Sequence, residues 1–247
     1  MAKIFIVYYS TYGHVVKLAE AIKEGVEKTA GVTAEIYQVP ETLSKEVLEK
    51  LYAPEKQAYP IITPDKLAEA DGILFGFPTR FGSLPAQMTS FIDATGQLWM
   101  QGALHGKPAG VFYSTGGQHG GQETAAYTFL TTLTSHGMVF VPLGYKNVSE
   151  YLTSADEIMG GSPYGAGTIS GANGSRTPSE KELAVARVQG KQFAEVVTKL
   201  SARVAAQPVS PAVQVDRKVA AKKDVALDEK VKVRKSTLAD KLKRILL

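Results

Sequence analysis

Cysteine is absent from the 247 residues. That excludes disulfides, thiolate nucleophiles, cysteine-ligated zinc or iron–sulfur clusters and lipid anchors on sulfur, and a reducing, cytoplasmic setting is the expectation. Long apolar runs are missing too. Nothing approaches the roughly 18 consecutive apolar residues of a spanning helix, and MAKIFIVYY has neither the apolar stretch nor the cleavage site of a secretory leader, so neither is expected. Histidine is scarce, with four residues scattered outside H-x-x-H or H-E-x-x-H spacing, and no metal site is expected. Two phosphate signatures are also lacking, the G-x-x-x-x-G-K-[ST] loop of nucleotide triphosphatases and the G-x-G-x-x-G dinucleotide fingerprint. Positive charge is short over most of the chain. Residues 1–202 carry 16 Lys and Arg against 19 Asp and Glu, whereas residues 203–247 carry 12 against 5. The basic isoelectric point therefore belongs to the C-terminal stretch, and no nucleic-acid partner is expected of the main domain.

Four continuous apolar runs stand out: KIFIVYY (3–9), DGILFGFP (71–78), PAGVFYST (108–115) and MVFVPLGY (138–145). Continuous rather than alternating apolar character predicts strands covered on both faces, as in a parallel sheet between helices. AEIYQVP (34–40) alternates and reads as an edge strand. Helical patterns lie between the runs, over 15–28, 64–70, 86–95, 122–136 and 179–200, the last opened by the start signal TPSEKE. Strands alternating with helices predict an α/β fold, a doubly wound five-stranded parallel sheet with helices on both faces. Ligands on such sheets bind beyond the carboxyl ends of the strands. Residues 41–62, 96–107 and 147–176 exceed the minimal fold, and the last is expected as a long irregular segment that binds something or docks on another subunit. The domain is expected to span 1–202, followed by a basic linker and tail over 203–247.

Three loops after strand ends carry the chemistry. The first, Ser10-Thr11-Tyr12-Gly13-His14-Val15, offers hydroxyls and helix-N-terminal amides to a monophosphate; Ser and Thr before a helix also serve as plain N-caps. The second is Pro78 to Pro85, with Thr79, Arg80 and Phe81. The third, Ser114-Thr115-Gly116-Gly117-Gln118-His119 and onward, is glycine-dense, which suits either backbone approach to a flat ligand or a simple surface turn.

With STYGHV (10–15), PTRFG (78–82), GQLWMQGAL (96–104), STGGQHGGQE (114–123), His136-Gly137-Met138, PLGY (142–145), GGSPYGAG (160–167) and GSR (174–176), the chain resembles the WrbA family of NAD(P)H:quinone oxidoreductases, flavodoxin-like FMN proteins. The resemblance covers residues 2 to about 200. It implies the flavodoxin-like strand order 2-1-3-4-5, FMN as bound cofactor and NADH or NADPH as co-substrate. It further implies two-electron reduction of quinones in a ping-pong cycle, protection against oxidative stress, and a homotetramer built as a dimer of dimers with sites bordered by neighbouring subunits. By the same resemblance Ser10 to Val15 hold the FMN phosphate, Thr79, Arg80 and Phe81 border the flavin ring, and Ser114 to His119 wrap ribityl chain and ring edge. Tyr12 contacts the nicotinamide nucleotide, Trp99 stacks on quinone, and His136 reaches ring or substrate. Core packing for Trp99 and a helix C-terminal role for His136 are the structural alternatives. His119, Ser83 and Ser135 depart from the family pattern, Ser83 and Ser135 standing where Asn and His are expected.

In the tail, STLADKLKRILL (236–247) places Leu238, Leu242, Ile245 and Leu246 on one helical face beside Lys241, Lys243 and Arg244. This is the pattern of a basic amphipathic helix on anionic lipid or a partner, set against a solvated charged tail. Relatives of fungal type with C-terminal extensions imply peripheral plasma-membrane contact. Two other functions compete with quinone reduction: a one-electron flavodoxin-type carrier and a flavin-binding scaffold at membrane domains.

Overall fold

A computed structural model describes residues 1–206; the tail and the helix expected over 236–247 lie outside the described residues. Strands β1 (Ala2–Tyr8), β2 (Val32–Gln38), β3 (Gly72–Pro78), β4 (Pro108–Thr115) and β5 (Val139–Phe140) form one parallel sheet in the order β2-β1-β3-β4-β5, with a sixth short strand, β6 (Gly167–Ile169), also on β4. The helices are α1 (His14–Val26), α2 (Lys45–Lys50), α3 (Pro64–Leu67), α4 (Ala86–Asp93), α5 (Gly96–Gln101), α6 (Gln122–Ser135), α7 (Ser149–Leu152) and α8 (Glu180–Ala206). Helix α8 continues past 202 because Arg203 to Ala206 contain no breaker, the first being Pro208.

The continuous apolar runs are explained by two cores. In β1 and the residue that follows it, Ile4, Ile6 and Tyr8 pack in the core with α1 and α8, while Phe5, Val7 and Tyr9 pack in the core with α4 and α6, and all six are buried. Each fully buried side chain of this size contributes about 1.5–3 kcal/mol. Gly76 on β3 makes room for the neighbouring strand: a Cβ there would lie 2.1 Å from the Phe112 ring.

MVFVPLGY is not the eight-residue strand its apolar character predicts. Only Val139 and Phe140 pair, opposite Pro108 and Ala109, and Val139 is half-exposed. Pro142 has no N–H to continue the ladder. The carboxyl half of β4 is covered instead by β6, with Tyr113, Ser114 and Thr115 opposite Gly167, Thr168 and Ile169. The segment expected to be irregular over 147–176 thus supplies α7 and a strand.

One carboxylate pins that segment. Glu182, fully buried, accepts from the Gly160 amide (2.8 Å), the Thr168 hydroxyl (2.8 Å), the Ser179 amide (2.8 Å) and Arg176 Nη1 (2.9 Å). Ser179 Oγ accepts from the Glu182 amide in return, which makes S-x-x-E a capping box at the start of α8.

Candidate functional site

At the carboxyl ends of β1, β3 and β4 lies a cleft of about 840 Å³, a size typical of sites for small organic ligands. Its floor is the loop between β1 and α1. Gly13, at φ +88°, is the N-cap residue of α1, and no side chain caps the helix. Ser10 Oγ instead accepts from the Gly13 amide at 3.0 Å and braces the turn. Among the described residues no intramolecular acceptor meets the amides of Thr11, Tyr12, His14 or Val15. Four orphan N–H groups at a helix N-terminus, with the helix dipole behind them, make a donor set for a phosphate monoester.

Side chains around the loop extend that set. Arg80 Nη2 donates to Thr11 Oγ1 at 3.2 Å, bringing a guanidinium from the loop after β3 to the turn after β1. Lys56 Nζ donates to the Ser10 carbonyl at 2.7 Å from behind the turn. Burial keeps the His14 imidazole below its usual value and outweighs the backbone of Gly174 and Arg176, which favours its charged form. Burial also pushes the Tyr9 phenol up to about 12, so it stays protonated and donates to Glu41 Oε2 at 3.0 Å.

The rest of the cleft is a glycine-rich wall. The Thr79 amide donates to the Ser114 carbonyl at 2.9 Å, and Thr79 Oγ1 to the Gly120 carbonyl at 3.0 Å, which locks the second loop to the third. Among the described residues the amides of Phe81 and Gly116, which line the cleft, have no intramolecular acceptor. The Phe81 side chain is fully exposed, at φ +53°. A fourth loop, Ser170 to Gly174, closes the cleft beside the first. Free amides next to an exposed aromatic suit the edge and face of a planar polar heterocycle.

Of the residues singled out in the sequence, Ser10, Thr11, Tyr12, His14, Thr79, Arg80, Phe81, Ser114, Thr115 and Gly116 line this cleft. Gly13 shapes the turn, and Val15 is buried in the core with only its amide at the turn. Gly117 and His119 are exposed and stand outside the lining, and Gln118 borders a separate pocket against residues 151–161.

Trp99 and His136 sit elsewhere within this chain. Helix α6 starts beyond the carboxyl end of β4 and runs back about 20 Å over its 14 residues. It ends where the Gly106 amide donates to the Gly137 carbonyl, beside the amino end of β4. His136 and half-exposed Trp99 therefore lie at the opposite end of the sheet from the cleft. Buried Thr95 donates its hydroxyl to the Ile92 carbonyl, so His136 Nε2–H donates to Thr95 Oγ1, 2.9 Å away. This leaves Nδ1 as a buried acceptor with no partner, and burial holds the imidazole below its usual value.

Leu43, Leu51, Gln87 and the 170–174 loop also line the cleft and were not singled out. Gly174 alone had a signal, as part of GSR; the others come from segments with no motif. Among the described residues no cluster of three or more His, Asp or Glu could hold a metal ion, and no helix is long and apolar enough to cross a membrane.

Residues 3–153 match the family described as NADPH-dependent FMN reductase. The chain is 56% identical over 198 residues to "Quinone-oxidoreductase QR2" of Triphysaria versicolor, covering 80% of this chain and 96% of that protein. It is 52% identical over 203 residues to "NAD(P)H dehydrogenase (quinone)" of Solidesulfovibrio magneticus, covering 81% and 99%. Among solved structures, a flavodoxin, WrbA-like protein from Agrobacterium tumefaciens matches with a TM-score of 0.56 at 23% identity, over 81% of this chain and 99% of that one, which is a likeness of fold.

Proposed function

The chain belongs to the NADPH-dependent FMN reductase family, and from its cleft and its relatives we propose that it is an FMN-dependent NAD(P)H:quinone oxidoreductase. The observation that carries this reading is the set of orphan amides at Thr11, Tyr12, His14 and Val15, which share one rim with the free amides after β3 and β4. The donor set fits the cofactor's phosphate, and the glycine-rich wall fits its flat ring.

Bound there, FMN would supply a two-electron relay between NAD(P)H and quinone. The protein's part is to bind, orient and exclude water. Ser10 to Val15 hold the phosphate; Thr79, Arg80 and Phe81 border the ring; Ser114 to Gly116 follow the ribityl chain and the ring edge, while Gly117, Gln118 and His119, expected to do the same, stand outside the cleft. Tyr12, half-exposed and tethered through its hydroxyl to the Leu51 carbonyl at 3.1 Å, contacts the nicotinamide nucleotide. One open side serves nicotinamide and quinone in turn, which makes the cycle ping-pong. Trp99 and His136 cannot reach the cleft of their own chain. They act on the cleft of a neighbouring copy in a homotetramer, where Trp99 stacks on quinone and His136 lies toward ring or substrate. The reaction serves protection against oxidative stress in the cytoplasm, and the basic tail supplies peripheral membrane contact.

The test is a visible spectrum of the purified protein followed by anaerobic mixing with NADH and then benzoquinone. The yellow absorbance bleaches with NADH and returns with quinone. A colourless protein that does not take up added FMN defeats the proposal. Sedimentation equilibrium checks the tetramer, and Trp99→Ala then raises the quinone KM.

A further inference from the structure

Residues 41–56 leave β2, cross the rim of the cleft and return so that Ile61 pairs with Gln38. This strap is not held by a core of its own, since helix α2 within it has no buried residue. It is held mainly at its ends, with an exposed bond from the Tyr12 hydroxyl to the Leu51 carbonyl between them. Glu41 Oε2 and Lys56 Nζ are 3.1 Å apart, and both partners are largely covered. Glu41 also accepts from the Tyr9 hydroxyl (3.0 Å), Gln87 Nε2 (2.8 Å) and the amides of Thr42 (2.9 Å) and Leu43 (3.1 Å). Lys56 donates to the Ser10 carbonyl and lies 4.6 Å above the Tyr9 ring. One ion pair thus joins both ends of the strap to the back of the phosphate turn and, through Gln87, to α4. Between those ends Leu43 and Leu51 form an apolar lip on the cleft.

We propose that Glu41 and Lys56 are positioning residues, a clasp that holds the strap's apolar lip over the cleft and fixes the Ser10–Thr11 backbone for the cofactor phosphate. The proposal rests on the functional reading above. Neither side chain touches the reacting atoms. Lys56 brings to the turn the cation that its own loop lacks, through the Ser10 carbonyl, and Glu41 keeps that ammonium in place while gathering the strap's first two amides. Loss of either partner loosens the strap at both ends and leaves it the exposed Tyr12–Leu51 bond, since α2 has no buried residue.

The test uses the full chain with Lys56→Met, Lys56→Arg, Glu41→Gln and the Glu41→Gln/Lys56→Met pair. Trypsin sites after Lys45 and Lys50 lie inside the strap and are untouched by these changes. Removing a charged hydrogen-bond partner predicts, for Lys56→Met, about tenfold faster cleavage at those sites and about tenfold weaker FMN binding in a fluorescence-quenching titration. With FMN saturating, the quinone KM rises while kcat stays within about threefold of wild type, and Lys56→Arg recovers most of each loss. The double variant is no worse than the worse single, as expected for two halves of one device. Should Lys56→Met fail to fold, Glu41→Gln carries the same three readouts. Unchanged cleavage and FMN affinity in the folded single variant, or additive losses in the double, overturn the clasp. Failure of the wild type to bind FMN or reduce quinone sinks the functional reading instead, so the two failures are distinct.

Discussion

Two segments outside the minimal sheet-and-helix plan, 147–182 and 41–57, are each organised by one carboxylate, and they differ in how deeply that carboxylate lies. Glu182 is fully buried, and its oxygens gather a strand, a loop, a helix N-terminus and Arg176. Glu41 collects a similar set of donors at the rim, but its side chain keeps about a fifth of its exposure. The same chemistry makes a fixed part of the scaffold in one place and a releasable strap in the other. Burial decides which: an unpaired buried charge is costly, whereas water can replace the partners of one at the rim.

That contrast is broken most directly at Glu182. Glu182→Ala leaves Arg176 and four other donors, the Gly160, Ile169 and Ser179 amides and the Thr168 hydroxyl, without their acceptor and is expected to cost about 3–5 kcal/mol in urea unfolding. A loss under about 1 kcal/mol would mean that the segment is held by packing and not by the carboxylate. Gly160→Ala strikes the same segment from its backbone. A Cβ there would lie 2.6 Å from the Thr168 main chain, and the expected cost is about 1–3 kcal/mol. Gln87→Ala sharpens the other side. It removes one donor from Glu41 and should cost about 0.5–1.5 kcal/mol of stability, with trypsin cleavage at Lys45 and Lys50 accelerated by more than that loss accounts for. Equal rises in cleavage inside and outside the strap would show only general loosening.

The same contrast marks what could be read from the sequence. The strands of the centre were legible because two-sided burial leaves continuous apolar runs, and the turn at the cleft floor was legible because hydroxyls and Gly13 follow such a run directly. MVFVPLGY misled because apolar character reports burial and not pairing; Pro142 turns the chain out of the sheet, and Leu143 is buried beneath it. The third loop was legible only in part, since Gly116 lines the cleft and Gln118 does not. Glu41 and Lys56 gave no local signal. They are separated by 15 positions from each other and by 31 and 46 from Ser10, and only the folded chain brings them together. Trp99 and His136 could be named by resemblance, yet a single chain's sequence does not say which end of the sheet a residue after a helix serves.

The smallest effect expected concerns pH at the strap. Burial pushes the Glu41 carboxyl up, but the Leu43 amide, Gln87 and Lys56 together outweigh it and hold the group below its ordinary value of 4.5. A carboxylate held lower in the folded than in the unfolded chain adds stability above the unfolded value and loses it as pH falls through the folded one. The groups facing it are Lys56 and the Tyr9 phenol, and neither a lysine nor a phenol changes charge in the acid range. Strap opening below about pH 4.5 should therefore follow Glu41. Hydrogen-exchange protection of the Thr42 and Leu43 amides, corrected for intrinsic rates, is expected to fall there in the wild type and to show no such step in Glu41→Gln. Protection that is flat with pH in the wild type, or an identical step in the variant, would place the strap's anchor somewhere other than this carboxylate.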